Sequence, residues 1–145
     1  MTNDPYERLK LENQLCFPLY ACSKEVVHQY KADLDALGLT YTQYISLLVM
    51  WDRGPINVKE LGEALYLDSG TLTPLLKKLE KNGWIVRERD PQDERSVILS
   101  LTEAGKALRD KALHIPGKVE DCIPLTQEEA QTLYKLLYKV LRVVK

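Results

Sequence analysis

The sequence predicts a mainly α-helical protein with a small β-hairpin, the arrangement of a winged helix-turn-helix that carries extra helices at both ends. Three features predict it: two short amphipathic segments lie side by side, two runs of β-branched residues follow them, and long amphipathic segments flank this centre. The length of 145 residues suits one domain. We expect the winged helix at about 40–101, with dimerisation helices at about 6–36 and 103–145.

The N-terminal part predicts two helices. Apolar residues recur at spacings of three and four over residues 6–36, as on one face of a long helix. Pro18 removes a backbone hydrogen bond, so we expect either a kink or a helix start near Cys16. Residues 40–51 then predict a mostly buried helix that the Gly54-Pro55 pair ends.

Two short helices joined by a tight turn are predicted in the middle of the chain. Asn57 and Glu60 have the spacing of a capping box at the start of the first helix. The second helix covers about 68–82, where leucines at helical spacing form a buried stripe. Its candidate N-caps are Asp68, Ser69 and Thr71.

A β-hairpin should follow the second short helix. Residues 84–89 and 96–101 are rich in β-branched side chains and predict two strands. The polar residues 90–95 between them predict the hairpin loop, which would be the wing of the winged helix.

The C-terminal part predicts two further helices. Thr102 can cap the first, which the Pro116-Gly117 pair interrupts. Thr126 and Glu129 form a capping box for a last helix over about 127–143. The apolar faces at the two ends of the chain exceed what a small winged helix can cover, which favours a homodimer.

Composition excludes several classes of protein. The longest stretch without a charge, residues 36–51, is shorter than the roughly 20 apolar residues of a membrane span. The N-terminus lacks the basic and then apolar layout of a signal peptide. We therefore expect a cytoplasmic protein with no membrane contact. Three cysteines without C-x-x-C spacing and two histidines predict neither a structural disulfide nor a metal site or cofactor. Because the net charge is −1, any DNA binding must rest on a local basic surface.

Such a surface is predicted on the 68–82 helix, opposite its leucines. This face is small and polar at its start and basic at its end, which suits a recognition helix in the major groove of double-stranded DNA. Gly70 allows close approach, the hydroxyls reach phosphates or base edges, and the lysines meet phosphates. The residues expected to contact DNA are Ser69, Gly70, Thr71, Thr73, Lys77 and Lys78. A merely solvated helix face is the alternative interpretation.

The hairpin supplies further cations. Arg87 and Arg95 lie on or beside it, and an arginine at a hairpin tip can enter a narrow minor groove. Asp93 is expected to orient the guanidinium of Arg95 through a charge-assisted hydrogen bond. Nearby acidic residues nearly balance these arginines, which favours sequence-specific binding with a modest non-specific contribution.

Several motifs resemble the multiple antibiotic resistance regulator (MarR) family of dimeric winged-helix repressors. They are residues 66–80 (YLDSGTLTPLLKKLE), 93–96 (DERS) and 99–103 (LSLTE). Residues 11–17 (LENQLCF) and 67–74 are similar to the organic hydroperoxide resistance regulator (OhrR) branch, whose members sense peroxides through a cysteine near the N-terminus. This resemblance implies a dimer that binds pseudo-palindromic operator DNA, with Cys16 as the sensing residue.

A peroxide-sensing cysteine must be a thiolate, because the protonated thiol is a poor nucleophile at neutral pH. No basic residue lies within four positions of Cys16, whereas the hydroxyl of Tyr20, one helical turn away, can donate to a thiolate. Tyr30 is roughly 21 Å farther along a straight helix, so it could reach Cys16 only across a two-fold axis. The resemblance implies that Tyr30 and Tyr41 of the partner subunit contact the sulfur. An inert core cysteine is the alternative from spacing alone.

The other two cysteines have different expected roles. Cys22 is predicted to be buried filler, since in an intact helix it cannot bridge to Cys16. The resemblance makes Cys122 a candidate resolving cysteine that forms an intersubunit disulfide with Cys16, and a low-molecular-weight thiol is the alternative. Pro18 departs from the leucine-like residue expected there in this branch, which bears on the helix geometry around Cys16.

The sequence therefore predicts a transcriptional repressor that binds DNA when Cys16 is reduced and releases it when an organic hydroperoxide oxidises Cys16. One alternative keeps the DNA function and replaces redox control with a small phenolic ligand. A second is an enzyme, a thiol peroxidase, which the absence of C-x-x-C and of a Thr or Arg near Cys16 disfavours. A third, a winged helix used only for protein contacts, is disfavoured by the small-residue face at 70–74.

Overall fold

A computed structural model describes residues 4–144 of the chain, and the described part is mainly helical with one small sheet. The helices are α1 (Cys16–Gln29), α2 (Lys31–Ala36), α3 (Tyr41–Arg53), α4 (Val58–Leu65), α5 (Ser69–Lys81), α6 (Glu103–Ala112), α7 (Ile115–Glu120) and α8 (Gln127–Val144). The strands are β1 (Ile56–Asn57), β2 (Ile85–Asp90) and β3 (Asp93–Leu101). The predicted fold class, a winged helix between helical ends, is confirmed.

The first helix is shorter than predicted. Before Cys16 the chain forms two 3₁₀ turns, and the amide of Gln14 donates to the backbone oxygen of Arg8 at 2.6 Å, which holds these turns together. Pro18 lies in the first turn of α1, where backbone N–H groups have no intrahelical acceptor in any case. Of the two expected effects of Pro18, the structure therefore has the helix start at Cys16.

Local capping signals fix most of the helix starts. The Asn57 side chain accepts from the backbone of Glu60 at 2.8 Å in a complete capping box. Thr126 and Glu129 form a second box at the start of α8. Of the three candidate caps of α5, the structure uses Asp68, whose carboxylate accepts a hydrogen bond from the backbone N–H of Thr71 at 2.7 Å.

The turn between α4 and α5 is tight. Tyr66 ends α4 in the left-handed conformation with φ 56°, and the N–H of Leu67 donates back to the oxygen of Gly62 at 3.0 Å. A Cβ atom at Gly62 would lie 2.8 Å from the oxygen of Leu67, so only glycine allows this approach. This turn sets the angle at which α5 leaves α4.

The wing is a three-stranded antiparallel sheet in the order β1-β3-β2. The two-residue β1 was not predicted, and it pairs Ile56 with Leu99. The predicted loop at 90–95 is wrong, because strand pairing continues to the pair Asp90 and Asp93 and leaves a two-residue tip. The Asp90 carboxylate accepts from the N–H of Gln92 at 2.8 Å and closes this tip locally.

The hydrophobic core lies inside the winged helix and extends to α2, α6 and α7. The predicted leucine stripe of α5 is buried in it and consists of Leu72, Leu75, Leu76 and Leu79. From α3, Leu47 and Met50 are almost fully buried, as that helix's apolar sequence predicts. The core therefore fixes α5 from one side and leaves its other face in solvent.

The two ends of the chain carry apolar faces that the chain itself does not cover. The predicted interruption at Pro116-Gly117 is wrong in one respect, since these residues lie within α7, with the proline in its first turn. Helices α1 and α8 have no buried residue. Their exposed large apolar side chains include Phe17, Leu19, Leu133, Leu136, Leu137 and Val140. Such faces are suited to a second copy of the chain.

None of the helices formed by residues 4–144 combines the length and the apolar character that a membrane crossing requires.

Candidate functional site

The exposed face of α5 is as small and polar as predicted. All its predicted DNA-contacting residues are exposed: Ser69, Gly70, Thr71, Thr73, Lys77 and Lys78. The Thr73 hydroxyl donates to the oxygen of Ser69 at 2.8 Å, which leaves its oxygen free to accept. A hydrogen bond from the backbone N–H of Thr71, and a weaker effect of the Thr71 side chain, hold the pKa of Asp68 below its ordinary value. This cap is therefore charged at neutral pH.

The wing places Arg95 in solvent near the hairpin tip, as predicted. The expected bond from Asp93 to the Arg95 guanidinium is wrong, because the Asp93 carboxylate instead accepts from the backbone N–H of Arg95 at 3.0 Å. An acidic residue two positions before its partner reaches the backbone more readily than the end of a long side chain. Asp93 thus shapes the wing and leaves the guanidinium of Arg95 free of any ion pair among residues 4–144.

Arg87 is engaged within the chain. Its Nη2 and Nε lie 3.2 and 3.3 Å from the same carboxylate oxygen of Glu80 at the end of α5, and its side chain is 28% exposed. The pair links strand β2 to the recognition helix. Sequence analysis missed Glu80, since nothing in the local pattern pairs a helix end with a strand seven residues later.

A cleft of about 980 Å³ lies between the α4–α5 turn and the wing. Four residues of the predicted DNA-binding surface line it, together with Asp93; they are Ser69, Thr73, Arg87 and Arg95. Lys77 and Lys78 lie outside it, farther along the exposed face of α5. The fold therefore brings the polar start of α5 and the wing arginines to one concave surface, with the lysines beyond its edge.

Cys16 is exposed at the first residue of α1. Within residues 4–144 it has no hydrogen bond to Tyr20, whose ring instead carries the Lys24 ammonium 5.2 Å from its centroid. The prediction that Cys22 is buried is wrong, because this thiol is exposed in the single chain. The reason is that α1 contributes nothing to the chain's own core.

Three tyrosines form a cluster that joins α1 and α2 to α3. The ring centroid of Tyr30 lies 5.0 Å from that of Tyr41 and 5.7 Å from that of Tyr44. Burial raises the pKa of Tyr41 and raises that of Tyr44 to about 12. The pKa of Tyr30 is also raised, mainly by burial and to a smaller extent by the nearby Tyr41 and Glu120. All three phenols are therefore protonated donors at neutral pH. Tyr44 was not predicted, although its spacing of three from Tyr41 places both on one face of α3.

Cys122 is exposed just after α7. Its backbone N–H donates to the oxygen of Val119 at 3.0 Å and its thiol to that of Lys118 at 3.4 Å. The last turn of α7 therefore fixes the position of this cysteine.

An exposed recognition helix, with a wing beside it that presents the guanidinium of Arg95, unpaired among residues 4–144, defines a winged-helix DNA-binding protein. The model of the MarR family matches residues 39–97, which include α3, α4, α5 and the wing tip. The chain is 50% identical over 136 residues to the organic hydroperoxide resistance transcriptional regulator of Bacillus subtilis (strain 168), a match that covers 94% of this chain and 92% of that protein. The chain belongs to the MarR family, whose members are DNA-binding transcriptional regulators and not enzymes.

Two solved states of one regulator, AbfR of Staphylococcus epidermidis, are similar to this chain. Reduced AbfR bound to DNA matches with a TM-score of 0.80 and 34% identity over 96% of each chain. Disulfide-formed AbfR matches with a TM-score of 0.68 and 33% identity over all of both chains. Overoxidised AbfR bound to DNA matches with a TM-score of 0.79, so the chain is closer in conformation to DNA-bound AbfR than to the disulfide form.

Proposed function

We propose that the chain is a homodimeric repressor that binds pseudo-palindromic operator DNA while Cys16 is reduced and releases it when an organic hydroperoxide oxidises Cys16. The observation that carries this proposal is the 50% identity, over almost the whole chain, to a regulator of organic hydroperoxide resistance. The similarity to AbfR, whose solved structures include a reduced and a disulfide form, supports redox control over control by a phenolic ligand.

The DNA-contacting surface is the exposed face of α5 together with the wing. The N-terminal half of α5 faces base edges with small side chains and hydroxyls, because only such groups allow the helix to lie deep in the major groove. Lys77 and Lys78 neutralise phosphates beside the groove. Arg95, whose guanidinium has no ion pair among the described residues, enters the neighbouring minor groove.

Dimerisation covers the apolar faces of α1 and α8. A two-fold axis between α1 helices would bring Tyr30 and Tyr41 of the partner subunit beside Cys16. Because their phenols are protonated, they can donate to the thiolate and stabilise it, and Tyr20 can do so from the same helix. This arrangement supplies the activation that the chain's own basic residues do not.

Oxidation proceeds in two steps. The Cys16 thiolate attacks the distal oxygen of the hydroperoxide, an S–O bond forms and the O–O bond breaks; the sulfur loses two electrons, and the alkoxide takes up a proton and leaves as the alcohol. The thiolate of Cys122 from the other subunit then attacks the sulfenic acid, the S–S bond forms, and hydroxide leaves and takes up a proton to become water. A low-molecular-weight thiol can take the place of Cys122 in this second step.

The link to DNA is geometric. A sulfenic acid or disulfide at Cys16 no longer accepts the same tyrosine bonds and must be housed at the interface that sets the separation of the two recognition helices. Since half-sites lie one helical turn apart, a change in that separation lowers operator affinity.

A gel-shift titration with an organic hydroperoxide tests the proposal. Wild type should lose operator binding as peroxide rises, and Cys16→Ser should keep it. Cys22→Ser is the matched control, because it removes another exposed cysteine from the same helix, and it should respond like wild type. A peroxide response that survives in Cys16→Ser would refute redox control through this residue, and release by a phenol alone would establish the ligand alternative.

The second step is tested on a non-reducing gel. Peroxide should produce a reducible band of twice the monomer mass in wild type and none in Cys122→Ser. A Cys16 adduct with a small thiol, with Cys122 left free, would establish the other route.

A further inference from the structure

An ionic cluster joins α2 to the first turn of α7. The carboxylate of Asp33 lies 2.9 Å from the Lys118 ammonium and 3.7 Å from the His114 imidazole. The Asp33 side chain is only 13% exposed, whereas those of Lys118 and His114 are 62% and 59% exposed. The little-exposed carboxylate of Asp33 therefore contacts two solvent-facing side chains, His114 just before α7 and Lys118 one turn into it.

This cluster bears directly on Cys122. The thiol of Cys122 donates to the backbone oxygen of Lys118, the residue whose side chain pairs with Asp33. On the adjacent face of α7, the apolar residues Ile115 and Val119 are buried. The last turn of α7, and Cys122 with it, is thus held to α2 by the pair between Asp33 and Lys118.

Asp33 also lies one helical turn after Tyr30. Tyr30 is the residue that the proposed function places against Cys16 of the partner subunit. The same short stretch of chain therefore positions a donor for the sensing thiolate and anchors the segment that carries the resolving thiol.

We infer that Asp33 is a positioning residue that holds Cys122 in its reduced-state place and so slows formation of the disulfide with Cys16. This inference rests on the proposed function, because it concerns the second oxidation step described above. When α7 leaves α2, the Asp33 carboxylate loses its ion pair with Lys118 and its contact with His114. That loss opposes the movement that brings Cys122 to an oxidised Cys16. The hydrogen bond from Lys118 holds the pKa of Asp33 below its ordinary value, in keeping with a carboxylate that is charged in the reduced state.

The test compares the two oxidation steps in Asp33→Asn and wild type. The reduced dimer is mixed with cumene hydroperoxide, and samples are quenched with a sulfenic-acid trap or with acid and run on non-reducing gels. Formation of the sulfenic acid should be unchanged. Disulfide formation should be about two- to fivefold faster, the range expected for loss of one ion pair whose lysine is largely solvent-accessible.

Asp35→Asn is the matched control. Asp35 lies on the same helix and pairs with Lys31 at 2.9 Å, but both side chains are well exposed and belong to one helix, so neither oxidation step should change. Asp33→Glu, which keeps the charge, should restore most of the wild-type rate. Lys118→Gln changes only an exposed side chain and should also speed disulfide formation, which provides the measurement if Asp33→Asn does not fold.

Amide hydrogen exchange of residues 115–122 in the reduced protein measures the restraint without peroxide, and it should be faster in Asp33→Asn. If the Cys16–Cys122 disulfide forms in wild type, and forms at the same rate or more slowly in Asp33→Asn and Lys118→Gln, the inference is overturned and the proposed function stays intact. Absence of any Cys16–Cys122 disulfide in wild type would instead overturn the resolving role of Cys122, and this inference with it.

Discussion

Gly105, in the first turn of α6, provides a sharp test of how the wing is joined to the C-terminal helices. A Cβ atom built at this position would overlap the backbone oxygen of Trp84 and lie 3.1 Å from its carbonyl carbon. The obstacle is backbone at the start of the wing, so no side-chain rotation relieves it. Gly105→Ala must therefore move α6 away from the wing.

The expected cost follows from three contributions. Overpacking against rigid backbone costs about 1–3 kcal/mol. The shift also strains the hydrogen bond from the Trp51 indole to the oxygen of Gly105, 2.9 Å long, whose loss costs about 1 kcal/mol. Alanine regains about 0.5–1 kcal/mol through its higher helix propensity. We expect a net loss of about 1–3 kcal/mol in the free energy of unfolding.

Urea unfolding at one fixed protomer concentration measures this loss, because the stability of a dimer depends on concentration. With a slope of about 2 kcal/mol per molar urea, the midpoint should fall by about 0.5–1.5 M. Gly117→Ala is the matched control, since Gly117 is also helical and a Cβ there meets nothing within 4 Å. Equal midpoints for Gly105→Ala and Gly117→Ala would refute the argument that the close approach to Trp84 requires glycine.

Three further predictions concern the DNA-binding unit. Arg95→Ala should weaken operator binding at physiological salt and leave the urea midpoint unchanged, because the side chain is exposed; unchanged affinity would contradict the wing contact. Lys77→Ala and Lys78→Ala should each lower the salt slope of binding by about one unit and weaken all sequences alike, and a changed base preference at constant slope would argue against phosphate contacts. Because the pKa of Asp68 is lowered in the folded protein, the stabilisation from this cap is complete above about pH 4 and is lost as pH falls through the folded-state pKa. The free energy of unfolding of Asp68→Asn should therefore decline less steeply in acid than that of wild type. An identical acid profile would contradict this role.

The sequence by itself determined the elements whose signals are local. The capping pair Asn57 and Glu60, the cap at Asp68 and the leucine stripe of α5 all act over three or four residues, which one helical turn brings together whatever the rest of the chain does. The polar face opposite that stripe is a direct consequence of the same periodicity. For this reason the fold class and the exposed polar face of α5 followed from the sequence.

Only the tertiary structure decided the features that depend on residues far apart in the chain. Strand β1 exists because Ile56 meets Leu99, and Arg87 is held by Glu80 because the core places β2 against the end of α5. The pairing of Asp33 with Lys118 spans 85 positions, and no pattern in the sequence marks either residue as the partner of the other. Periodicity determines which face of an element is buried, but which two faces meet depends on the packing of the whole chain.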